Sequence, residues 1–218
     1  NADLQRESAA AALSAAESGS INAQELDGSA ERILRAKERW IHPAEPESAG
    51  RAEDFAAAAR MAREAVTAVR GKACRASEKT FFCGCADYRM TQASNADPEA
   101  KAFPEYMGAR FGAKFAVCSK DPDEKEIADL VKCADGAGNI IFSSCNAHLF
   151  RGQLALAAAL AEKGVPMTVA ALRNPYDLPL MPENAALLAA FDYSRDSLAA
   201  LADVFSGGDC CGVMPAAL

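Results

Sequence analysis

No apolar run in this 218-residue sequence approaches the roughly 20 residues that a bilayer-spanning helix needs, and its start lacks the basic flank and apolar core of a secretion signal. Clusters of Lys and Arg interleaved with aromatics are missing too. With 23 basic against 30 acidic residues, a net charge of −7 and a pI near 5.0, nucleic acid is not the expected partner. Neither a Gly-x-Gly-x-x-Gly turn nor a Gly-x-x-x-x-Gly-Lys-Ser/Thr loop occurs, so dinucleotide and P-loop nucleotide sites are disfavoured and no cofactor is expected. A phosphoacceptor role lacks its paired acids at the end of the first strand, where Cys83-Gly84-Cys85 leads to the single Asp87. Cys-x-x-Cys and Cys/His ligand spacings are absent, and with them the usual signature of a metal site. There is no internal repeat.

What the chain does have is apolar content. Hydrophobic residues make up 50%, which argues against disorder, and the length suffices for one substantial core or for a domain with an appendage. The eight cysteines (Cys74, Cys83, Cys85, Cys118, Cys133, Cys145, Cys210, Cys211) show no framework spacing, and several fall inside apolar runs. Reduced, buried thiols are therefore expected. Asn1-Ala2, with no Met before it and a helix directly after, reads as a cut end of a longer protein.

The first part of the chain is helical in character. Leu4 to Ala16 is alanine-rich, and a second helix opens at Asn22 with Glu25 placed to complete a capping box. On that helix Leu26, Ala30, Ile33, Leu34 and Ile41 form one apolar stripe. His42 to Gly50, with Pro43 and Pro46, reads as a linker. A third amphipathic helix is predicted from Arg51 to Val69 on the spacing of Phe55, Ala59, Ala62, Val66 and Val69.

Beyond it, continuous apolar runs alternate with helical segments, the pattern of a mostly parallel sheet buried on both faces. Strands are predicted over Thr80 to Cys85, Lys114 to Cys118, Asn139 to Ser144, Pro166 to Leu172 and Ala189 to Tyr193, with an edge strand over Gly212 to Leu218. Helices are predicted over Glu99 to Phe111, from Asp121-Pro122-Asp123-Glu124 to Gly136, over Phe150 to Lys163, and over Arg195 to Phe205 behind a Ser194 cap. The expected fold is an α/β three-layer sandwich, flavodoxin-like, with five or six mostly parallel strands.

Ala171-Leu172-Arg173-Asn174-Pro175-Tyr176-Asp177-Leu178 follows a β-branched strand, where functional loops of open α/β sheets lie. If the strands before Asn146 and Arg173 are neighbours, Asn146, His148, Arg173 and Asp177 converge at the carboxyl edge, where a sugar hydroxyl or a protein loop could be bound. The structural alternatives are that Arg173 and Asp177 pair with each other, and that Asn146 and His148 cap the helix near Phe150. Cys83 and Cys85 share one face of their strand, an arrangement open to soft metals but also common for inert buried thiols.

That run, with Asn146-Ala147-His148-Leu149, Gly152-Gln153, Leu188-Ala189-Ala190-Phe191-Asp192-Tyr193-Ser194 and Gly212-Val213-Met214-Pro215, resembles the C-terminal α/β domain of glycoside hydrolase family 3. The likeness is greatest to the branch of β-N-acetylglucosaminidases, and runs from about Leu13 to the end. It implies that residues 1–41 are terminal helices of a missing (β/α)8 barrel, 42–50 a linker and 51–218 the sandwich domain with its leading helix. It also implies a parent enzyme that hydrolyses terminal β-linked sugars. In that branch the barrel carries an Asp nucleophile and an acid/base His near a Lys-His-Phe-Pro-Gly-type signature; neither motif occurs here, and His42 and His148 sit in other contexts. Other branches take a catalytic Glu from the second domain, whereas the acids near strand exits here are Asp87, Asp177 and Asp192. No catalytic residue is therefore assigned, and the chain alone is expected to be inactive. The partners implied are the barrel, a carbohydrate, or a second copy meeting the orphan helices. The rival class is a self-contained binding or interaction module.

Overall fold

A computed structural model describes residues 2–41, 50–86 and 101–215. The chain divides into two units, Asn1–Arg51 and Ala52–Leu218.

The first unit holds α1 (Ala2–Glu17) and α2 (Ala23–Trp40). Asn22 caps α2, its side chain accepting from the Gln24 backbone N–H instead of the Glu25 N–H that a capping box would use. No residue of either helix is buried, and Leu26, Ile33, Leu34, Trp40 and Ile41 are exposed. His42 and the rest of the expected linker through Ala49 lie outside the described residues.

The second unit runs α3 (Ala52–Ala65), β1 (Thr67–Arg70), β2 (Thr80–Cys85), α4 (Phe103–Phe111), β3 (Lys114–Cys118), α5 (Glu124–Cys133), β4 (Asn139–Ser144), α6 (Arg151–Ala161), β5 (Met167–Ala171), a 3-10 turn (Pro175–Leu180), β6 (Ala186–Ala189) and α7 (Arg195–Phe205). Its six-stranded sheet has the order β1-β6-β5-β4-β2-β3, every pair parallel except β1 with β6. This is the expected three-layer α/β sandwich.

Alternation along each buried strand sorts the core into two faces. Phe81, Cys83, Ile140, Phe142, Val169 and Leu187 face Leu130 of α5 and Leu156, Ala157 and Leu160 of α6. Phe82, Ile141, Ala170 and Leu188 face Phe103, Met107, Leu198, Leu201 and Phe205 of α4 and α7. The Phe82 ring meets Phe103 edge-on at 6.3 Å and stacks on Phe111 at 5.8 Å. Between the two thiols of β2, Gly84 lets β4 approach: an added Cβ would stand 1.9 Å from Ser143 Oγ.

Five elements depart from expectation. The helix predicted through Val69 stops at Ala65, and Thr67–Arg70 turns into the antiparallel edge strand β1. Valines at 66 and 69 extend the helical spacing, but pairing with β6 and the Arg70 bonds to the carbonyls of Pro182 and Ala185 claim the segment for the sheet. β6 lies at Ala186–Ala189 and not Ala189 to Tyr193, because Phe191 adopts φ 63°, which ends an extended run. Helix α5 is capped by Asp123 and not Asp121, which instead accepts from the Gly152 N–H. Helix α4 begins at Phe103 with Pro104 in its first turn. Residues 212–215 form no strand; Gly212 donates to the Val66 carbonyl at the α3–β1 junction, and 216–218 lie outside the described residues.

Candidate functional site at the carboxyl ends of strands 4 and 5

Strands β4 and β5 are parallel neighbours with Ser144 opposite Ala171, so the segments that follow them start side by side. The Leu172 N–H donates to the Ser144 carbonyl, which carries the pairing one step past the strands. After β4, Asn146 takes φ 55°, a left-handed conformation that asparagine tolerates, and turns the chain so that its carbonyl accepts from the N–H groups of Leu149 and Phe150. After β5, Pro175 opens a 3-10 turn that carries Tyr176 and Asp177.

Two side-chain bonds join the loops. Asn174 Nδ2 donates to Asn146 Oδ1 at 2.7 Å. Asp177 Oδ1 accepts from the His148 backbone N–H at 3.0 Å and lies 2.7 Å from His148 Nδ1. A carboxylate can only accept, so facing one Nδ1 is the donor; in a neutral imidazole that leaves the free lone pair on Nε2. Asp177 is fully buried, while the His148 side chain is 26% exposed and set edge-on to the exposed Tyr176 ring at 6.0 Å. The second carboxylate oxygen, Oδ2, is buried without a partner among the described residues.

Of the four residues expected to converge, Asn146, His148 and Asp177 thus take part in the two pairs that join the loops, with Asn174 as the member that sequence reasoning left out. Arg173 is half-buried on the same loop and forms neither a hydrogen bond nor an ion pair with the described residues, so the expected alternative of an Arg173–Asp177 pair does not hold. The capping alternative fails as well: Phe150 is the N-cap of α6, and the side chain that takes a first-turn N–H, that of Gly152, is Asp121. Asp87 lies outside the described residues; Asp192 accepts from Ser197 Oγ at 3.0 Å beside the Ser194 cap of α7. Burial pushes the Asp192 pKa up, but the hydrogen bonds from Ser194 and Ser197 outweigh it and hold it below its usual value.

Sheet order reverses between β2 and β4, the switch point where open α/β folds commonly form a crevice. Here that place is occupied. Gln153, fully buried on α6, accepts at Oε1 from the Cys145 N–H at 3.0 Å and from Cys85 Sγ at 3.7 Å, and donates through Nε2 to the carbonyls of Lys120 and Cys145. Its partners thus follow or end β2, β3 and β4. The one polar side chain aimed inward from an otherwise apolar helix stripe is the signal that could have found it.

Cys83, Cys85, Cys118 and Cys145 are buried, as expected. The hydrogen bond with Cys83, together with burial, pushes the Cys118 thiol far above its ordinary pKa, which keeps it protonated and unreactive. Among the described residues no cluster of three or more His, Cys, Asp or Glu side chains could hold a metal ion, and no helix is long and apolar enough to cross a membrane.

No family model and no curated protein matches the sequence. Solved structures do. The chain is similar to a glycoside hydrolase family 3 β-N-acetylglucosaminidase from Paenibacillus sp. str. FPU-7, with a TM-score of 0.72 and 24% identity, over 93% of this chain and 41% of that one.

The chain has a glycoside hydrolase family 3 fold. It is also similar to a fungal multi-domain family 3 β-N-acetylglucosaminidase (TM-score 0.67, 17% identity, 95% of this chain and 25% of that one). A third likeness is to a β-glucosidase from Listeria innocua in complex with isofagomine (TM-score 0.61, 14% identity, 89% and 32%). The chain spans less than half the length of these family 3 structures. Coverage of 93% exceeds what Ala52–Leu218 alone can supply, so the likeness to the Paenibacillus structure reaches into the first unit.

Proposed function

We propose that this chain is the C-terminal portion of a family 3 glycoside hydrolase that removes terminal β-linked sugars, with N-acetylhexosaminides as the substrate class. The supporting observation is the match to the Paenibacillus β-N-acetylglucosaminidase, which takes in 93% of this chain but 41% of that one. On this reading α1 and α2 are the closing helices of a (β/α)8 barrel, their exposed stripe of Leu26, Ile33, Leu34 and Ile41 is covered by that barrel, and Ala52–Leu218 is an accessory domain. Nucleophile and proton donor then belong to the barrel. The α/β domain supplies a wall, with the carboxyl ends of β4 and β5 as the edge that meets substrate or a barrel loop.

The rival reading, a self-contained binding module, draws support from the paired side chains of Asn146 with Asn174 and His148 with Asp177, all of which belong to this chain. Two results separate the readings. Sequencing upstream of this segment is expected to find a barrel with a Lys-His-Phe-Pro-Gly-type signature in the same frame, and joining that barrel is expected to confer turnover of a chromogenic N-acetyl-β-glucosaminide. A native start close to Leu4 would remove the hydrolase reading.

A further inference from the structure

We infer that Asp177 is a positioning residue that locks His148 as its Nδ1–H tautomer, making Nε2 a standing acceptor for a hydroxyl of a neutral, hydroxyl-rich ligand that lies against Tyr176. The tie has two points: Asp177 Oδ1 takes both the backbone N–H and the ring Nδ1–H of His148, so neither the loop nor the ring can turn without breaking a charge-assisted bond. A carboxylate wholly out of water holds that bond in a medium where it is strong. Nε2 has no partner among the described residues and is not sealed from solvent, on a side chain that is 26% exposed.

The surroundings favour a neutral sugar ring. Tyr176 is 65% exposed and stands edge-on to the imidazole, offering a flat apolar surface beside the acceptor. Arg173 precedes this turn on the same loop and has no side-chain partner among the described residues. A lone acceptor beside an aromatic face suits a ring that has hydroxyl donors on its edge and C–H groups on its flat side. An anion would meet the lone pair of Nε2 unfavourably. The choice of a sugar rests on the proposed glycosidase reading; the tautomer lock does not.

The test uses the full chain, labelled with nitrogen-15. Long-range proton–nitrogen spectra are expected to show His148 with a protonated Nδ1 and a bare Nε2, and D177N is expected to lose that single tautomer. Adding N-acetylglucosamine is expected to shift His148 Nε2 and the Tyr176 ring, with binding weakened about tenfold in Y176A, whose side chain is exposed and not needed for folding. A proton on Nε2 in the native chain, or an unchanged tautomer in D177N, overturns the positioning role. Should D177N fail to fold, the spectrum of the native chain still decides that point. A locked tautomer with no shift at the Tyr176 ring on adding sugar overturns the ligand assignment, and shifts that arise only with an added barrel polypeptide make the surface a protein contact instead. None of these outcomes depends on what the upstream frame encodes, so the failure of this inference and of the glycosidase reading are separable.

Discussion

At the residue scale, Gln153 is the polar side chain with the most to lose. Replacing it with Leu keeps most of the bulk but removes the amide's bonds to the Cys145 N–H and to the carbonyls of Lys120 and Cys145, and Q153L is expected to lower the free energy of unfolding in urea by about 2–4 kcal/mol. A loss within 0.5 kcal/mol would mean that water replaces the amide. Asp192 gives a pH signature. Its carboxyl is held below its ordinary pKa, so the charged form stabilises the fold above the unfolded value near 3.8, and that contribution disappears as pH falls through the lower folded value. Comparing the acid limb of stability in the native chain and D192N should show a shallower slope in the variant; identical slopes would contradict the assignment. The candidate site was half legible at this scale. Asn146, His148, Arg173 and Asp177 could be named because charged and polar groups at strand exits stand out, but the His148–Asp177 partnership spans 29 residues and exists only because β4 and β5 are adjacent. Arg173 shows the limit of the same reading, since opposite charges four residues apart invite a local pair, yet His148 takes the carboxylate instead.

At the element scale, the sheet was readable where strands are buried on both faces. β2 and β4 match their β-branched and aromatic runs to the residue, and β5 to within a residue at each end, because a strand between two helical layers can accept little else; β3, a largely exposed edge strand, also matches to the residue. The β1–β6 end of the sheet was harder. β1 hid in the spacing of α3, and β6, whose sequence Ala186-Leu187-Leu188-Ala189 has helical propensity, is a strand only by pairing with β5 and β1. Helix α2 carries the prediction for this scale. Its stripe of exposed Leu26, Ile33 and Leu34 needs a cover, so light scattering of the isolated chain is expected to find self-association, and the double substitution I33E with L34E is expected to return it to a monomer without changing its thermal unfolding. A native chain that stays monomeric at high concentration would mean the stripe requires no cover.

At the scale of the whole molecule, the chain combines a sandwich with its own two-faced core and a helical unit with no buried residue among those described. A domain of the first kind folds by itself; a helix pair of the second kind gains its stability from something packed on it. The most specific part of the resemblance, the run from Arg173 to Asp177, turned out to be the segment that ties two strand exits together. Fold was the most legible level because burial periodicity repeats in most strands and helices, whereas the proposed function draws on residues outside this chain. The central claim, that bond cleavage belongs to a barrel and this chain is its accessory wall, is tested most directly by the release of nitrophenol from p-nitrophenyl N-acetyl-β-D-glucosaminide. The account predicts a rate no different from buffer for the purified chain and clear turnover once the upstream barrel is joined to it; turnover by the chain alone would contradict it.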